Sequence, residues 1–191
     1  MNIFYLDNDV KVCAQYHCDK HVVKMILEYA QLLSTAHRVL DGKEYIDSSS
    51  GRKIKRWELN DSRESLLYKA THINHPSAVW VRQSKANYDW LYQLWIETLA
   101  EYRYRYTKSH ACEKLIHSLK RHPDKIVDKE FFEPPLAMPE LYKVNGNAVT
   151  SYRNYYRGDK LKIAKWKIRS APVWFTPLNG VDNNANLHVS K

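Results

Sequence analysis

A chain of 191 residues, 44% apolar and 13% aromatic, is long enough for one hydrophobic core and short for several domains. Three cysteines (Cys13, Cys18 and Cys112) exclude a disulfide-dense scaffold and fit a reducing cytoplasm, and no apolar stretch approaches the ~20 residues of a membrane span. The 30 Lys and Arg outweigh 21 Asp and Glu to give a net charge of +9, which with 14 Tyr and 6 Trp suits a polyanionic partner offering flat rings to stack on.

Met1 to Asp9 reads as a short extended lead-in without the basic region or cleavage site of a secretory signal. Helical periodicity starts near Val10, is clearest from Asp19 to Leu40 and stops at Asp41-Gly42. Lys43 to Arg56 contains Ser48-Ser49-Ser50-Gly51 and a cationic run, and predicts a flexible basic loop. A short helix is expected from Asn60 or Asp61 through Tyr68. After Asn74-His75-Pro76, the apolar spacing predicts a second long helix over Ser77 to Tyr106, packed on the first.

Ala111 to Leu119 predicts a shorter helix. Pro134, Pro135 and Pro139 make Phe131 to Tyr142 an extended strap. A last helix is expected over about Ala148 to Trp166. The predicted fold is an all-α, single-domain bundle over residues 1–175: two long packed helices, a Pro-rich strap and a C-terminal helix. A flexible tail is expected over residues 176–191.

The most informative stretch runs from Asp19 to Glu28. At about 100° per residue, His17, His21, Lys24, Glu28, Gln31 and Thr35 share one stripe, with Lys20 and Arg38 at its edge. Val22, Met25, Ile26, Tyr29, Leu33 and Ala36 fill the opposite side. Spacing alone reads Lys24 and Glu28 first as an i,i+4 ion pair. Set among bases, the same carboxylate can stabilise positive charge at a sugar C1′ or shuttle protons. His17, Cys18 and His21 lack a second paired ligand motif, so neither metal nor cofactor is expected.

Tyr152-Arg153-Asn154-Tyr155-Tyr156-Arg157-Gly158-Asp159-Lys160 interleaves rings and cations. Arg153, Arg157 and Lys160 suit phosphates, while Tyr152, Tyr155 and Tyr156 either stack on an unpaired base or pack in the core.

In order, these blocks resemble the phage-type pyrimidine-dimer DNA glycosylase, or endonuclease V, family. Its first long helix carries Asp-x-His, two apolar residues and the catalytic Glu, matched by Asp19-Lys20-His21-Val22-Val23 and Glu28. Its second long helix is entered through a histidine, as at His75. Its final Tyr-Tyr-Lys-Tyr-Tyr-Gly-Lys-like segment resembles Tyr152 to Lys160. The resemblance covers most of residues 1–166 and implies a compact all-α fold with glycosylase and lyase activity on duplex DNA.

It also implies an α-amine nucleophile, here on Met1 or Asn2, since Asn2 is a poor position for methionine removal. Leu27 and Gln31 stand where that family has arginines, and Lys24 and Arg38 are candidates for the missing positive charge. The expectation is therefore a cytoplasmic, monomeric enzyme acting on damaged or modified duplex DNA through an imine, with Glu28, the chain start, Lys24 and His21 as catalytic groups. His17, Lys20, Gln31, Arg38, His75 and the Tyr152–Lys160 segment would contact the nucleic acid. A non-catalytic nucleic-acid binder and a phage base-modifying or nucleotide-processing enzyme are the alternatives.

Overall fold

A computed structural model describes residues 1–177. The chain start lies extended and buried through Leu6, then enters helix α1 (Val10–Tyr16), capped by an Asp9 carboxylate that accepts from the Val12 N–H. Helix α2 (Asp19–Asp41) follows, and all six residues expected on its apolar side are buried. Its far half is buried all round, because residues 59–71 cover Thr35 and Arg38. Gly42 ends the helix, and a Cβ there would lie 2.5 Å from the Arg38 carbonyl.

The expected basic loop is instead a β-hairpin, so the fold is mainly helical rather than all-α. Strand β1 (Lys43–Asp47) pairs antiparallel with β2 (Ile54–Glu58), Lys43 opposite Glu58 and Asp47 opposite Ile54. Tyr45, Ile46 and Trp57 supply the strand-favouring side chains, and the buried Trp57 seats the hairpin on the α2 terminus. Helix α3 is a single turn (Arg63–Leu66).

The expected second long helix is two: α4 (Pro76–Gln83) and α5 (Lys85–Tyr106). Ser84 breaks them. Its backbone is extended, and its hydroxyl oxygen caps α5 by accepting from the Ala86 N–H while the hydroxyl donates to the Lys129 carbonyl at 2.6 Å. Helix α5 packs along α2, and the buried Trp95 indole donates to the Ile26 carbonyl.

A 3₁₀ turn (Ala111–Leu115) leads into α6 (Ile116–Lys120). The Pro-rich strap is extended as expected, closing with a 3₁₀ turn at Glu140–Tyr142. Helix α7 spans Ala148–Arg157, shorter than predicted. Gly158 stops it, since a Cβ there would stand 2.4 Å from the buried Tyr142 ring.

Residues 158–177 then cross back irregularly over the α1–α2 corner. Trp166 donates to the Tyr16 carbonyl, the Lys167 N–H reaches the Asp19 carboxylate, and Arg169 grips Glu101 at 2.6 and 2.9 Å. The buried Arg105 binds the same Glu101, Asp19 and the carbonyls of Gln15 and His17. Thr176 and Pro177 belong to this described segment; the rest of the expected tail lies outside the described residues. Among the described residues no helix is long and apolar enough to cross a membrane.

Candidate active site

Glu28 sits two and a half turns into α2 with its side chain only 15% exposed, and Lys24 Nζ, itself on an exposed side chain, lies 3.1 Å from Oε1. The i,i+4 pair read from spacing is therefore present. What spacing did not supply is the third party. His75 precedes α4 and caps it, its Nδ1 accepting from the Ser77 N–H at 3.2 Å, so the ring proton is on Nε2. Burial lowers the His75 pKa first; the N-terminal ammonium lowers it further and Glu28 raises it. The chain-start ammonium and the Glu28 carboxylate thus act on the His75 ring in opposite directions.

The chain start is held there by Asn2. Its Nδ2 donates to the Ala137 carbonyl at 2.8 Å, and its Oδ1 accepts from the Ile3 N–H. The Tyr152 hydroxyl is shared between Asn2 Oδ1 (2.9 Å) and the Pro135 carbonyl (2.7 Å). The strap and α7 therefore hold Asn2 by its side chain, and Met1 before it is half-buried. A groove of about 460 Å³ opens alongside, lined by Asn74, Pro76, Val79, Trp80, Phe132 and Pro135 among others. Asn74 and Pro76 flank His75, and Pro135 touches the Tyr152 hydroxyl, so the groove borders the same site.

Other expected site residues prove structural. His17 is fully buried. Its Nδ1–H donates to the Cys13 carbonyl and its Nε2 accepts from the Tyr29 hydroxyl, each at 2.7 Å, so it presents nothing to a phosphate. Burial pushes its pKa down to about 4, with Arg105 adding to the effect. His21 is stacked on Phe4 at 4.1 Å with Nδ1 2.5 Å from the Tyr156 hydroxyl, and burial lowers it to about 3. A neutral, enclosed imidazole positions the chain start against α2 rather than meeting substrate. Arg38 is corrected likewise: all five of its N–H donors are used inside the fold, on Glu64 and on the carbonyls of Trp57, Glu64, Leu67 and Tyr68.

The aromatic-basic segment divides. Tyr152 and Tyr156 are buried, so their rings are core and not stacking platforms. Arg153 ties α7 to the lead-in through the Leu6 carbonyl and Asp7, each at 2.9 Å, with its guanidinium over Tyr16 and Trp174. Arg157 holds the Thr176 carbonyl. Tyr155 and Lys160 stay half-exposed, the Lys160 ammonium 4.5 Å from the ring centre, and Lys160 is close enough to act on His21. Lys20 is exposed and Gln31 half-exposed on the Glu28 side of α2.

The structure thus pairs Glu28 with Lys24 and sets His75 within electrostatic reach of Glu28 and the chain start, with Lys20, Gln31, Tyr155 and Lys160 as accessible flanks. Sequence reading missed the Tyr152–Asn2–strap latch, whose only local signal is an amide side chain at position 2. It also missed Glu101 and Arg169, whose pairing crosses 68 residues. No group of three or more metal-ligating side chains occurs among the described residues. No family model, curated protein or solved structure matches the chain.

Proposed function

We propose that the protein is a DNA N-glycosylase and abasic-site lyase whose nucleophile is the α-amine at Met1 and whose catalytic acid is Glu28. One observation carries this reading: a half-buried Glu28 carboxylate is paired with Lys24 at 3.1 Å, and Asn2 ties the chain start to the strap that borders an open groove. The chain start is the first choice of nucleophile, and Lys24 Nζ, held at 3.1 Å by the Glu28 carboxylate, is the second.

The amine attacks C1′, the C1′–N bond breaks, and the departing base carries off the electron pair and takes one proton from the newly bound amine. Glu28 stabilises the cationic sugar as this charge develops. The second amine proton passes to O4′ as the C1′–O4′ bond breaks, giving the open-chain imine. A C2′ proton then passes to Glu28, and its electron pair expels the 3′ phosphate as the strand breaks. Lys20, Lys24 and Lys160 supply the positive surface that would hold the backbone.

Borohydride trapping tests the chemistry on duplexes carrying an abasic site or a UV-induced dimer. A covalent protein–DNA adduct is expected on at least one, and Glu28→Gln should remove strand scission while DNA affinity holds. No adduct on either duplex sinks the lyase mechanism, and a Glu28→Gln protein that cleaves normally sinks the role of the carboxylate.

A further inference from the structure

Val23 and Leu27 lie one turn apart on α2, and both are exposed, at 42% and 39%, though every residue of the helix's inner face is buried. At about 100° per residue they share an arc of roughly 100° with Lys20 and Lys24, and Leu27 immediately precedes Glu28. Lys160, on the neighbouring α7 side, is near enough to act on His21 one turn before Met25. Two apolar side chains therefore stand out from a cationic ridge on the helix face next to the one that carries the carboxylate. Among the described residues nothing covers them.

We infer that Leu27, supported by Val23, is a wedge that enters the base stack of duplex DNA and holds open the gap left by an extruded nucleotide. The inference rests on the proposed reading of Glu28 and deepens it. Three observations favour DNA over a protein partner. The patch is two residues wide, too small for a stable protein interface. It is ringed by cations, which complement phosphates. It also adjoins a carboxylate recessed at 15% exposure, which a C1′ inside an intact duplex could not approach. Leucine is among the side chains that proteins insert between base steps, and the surrounding lysines would seat the flanking phosphates while it does so.

Leu27→Ala tests this cleanly, because the site is exposed and alanine favours the helix, so folding is preserved. Duplexes carrying 2-aminopurine beside an abasic site report unstacking directly, without any chemistry. Wild-type protein should raise the fluorescence several-fold, and Leu27→Ala should lose most of that rise while binding within roughly threefold of wild type. Its single-turnover scission of the duplex should fall roughly tenfold or more, scission of a pre-opened bubble substrate should be unchanged, and Leu27→Phe should restore the duplex rate.

Equal fluorescence and equal duplex rates for wild type and Leu27→Ala overturn the wedge while leaving the lyase reading intact. A Leu27→Ala defect that persists on the bubble also overturns it, since the residue then serves the carboxylate itself. If no adduct can be trapped but the Leu27-dependent fluorescence remains, the lyase reading falls and the wedge stands.

Discussion

Replacing His17 by asparagine should flatten the acid limb of the stability curve. In the fold the imidazole is neutral, donating from Nδ1 to the Cys13 carbonyl and accepting at Nε2 from Tyr29, whose oxygen also accepts from the Phe4 N–H. Adding a proton would put a full charge in the core near the Arg105 guanidinium, and burial with that repulsion brings the pKa from 6.5 down to about 4. In the unfolded chain the ring protonates near 6.5, so above that pH neither state gains a proton. Between pH 6.5 and about 4 only the unfolded state does, and stability falls through that window before levelling. A depression from 6.5 to about 4 corresponds to roughly 3 kcal/mol lost across it.

Asparagine at position 17 keeps a donor for Cys13 and removes the titration. The variant should be less stable at neutral pH. Its unfolding free energy from urea titration should then fall by about 3 kcal/mol less than that of wild type on acidification, at constant slope m. His37 is also depressed by burial and contributes alike to both proteins, while His21, depressed first by burial, loses only the smaller repulsion from His17. Parallel curves for the two proteins down to pH 4 would refute the reasoning.

Two further substitutions test the packing. Gly158→Ala drives a methyl into the Tyr142 ring, which cannot retreat because it is buried and its hydroxyl donates to Asp159 at 2.7 Å; a cost of about 1–3 kcal/mol should lower Tm by several degrees in a thermal melt. Arg105→Leu leaves Glu101 with Arg169 alone and strips partners from Asp19 and two carbonyls, so denaturant titration should register a loss of about 3 kcal/mol or more; near-neutral stability would mean that Arg169 alone satisfies Glu101.

Much of the architecture was legible because it is written in local periodicity. The apolar side of α2, its stop at Gly42, the extended strap and the start of α7 all follow from spacing, proline and capping chemistry within a few residues. The misses share a cause, which is contact with distant chain. Ser84 reads as one polar residue in an apolar helix until residues 129 and 130 arrive to accept its hydroxyl. The basic loop reads as disordered until Trp57 finds a seat on the end of α2.

The site was legible in type more than in membership. A stripe of polar residues on α2 drew attention to Glu28, but the same stripe contains Arg38 and His17, which spacing cannot distinguish from surface groups. Only the covering segments decide which of them face solvent. His75 was named for a phosphate, and its place beside Glu28 depends on how residues 67–75 return along α2, which no local pattern encodes.

The Arg169–Glu101 and Lys167–Asp19 contacts also bear on how the polypeptide is made. Asp19 and Lys167 are separated by 148 positions, so a ribosome delivers both long helices well before the segment that locks their corner. Emerging nascent chain therefore carries Glu101 with one cation instead of two, and Asp19 without its second grip. Assembly of the helical body can run early from near-neighbour contacts, but the corner stays ajar until Arg169 has been made. Premature termination before residue 165 would yield a product with the right helices and a loose hinge at the start of α2, the element that bears Glu28.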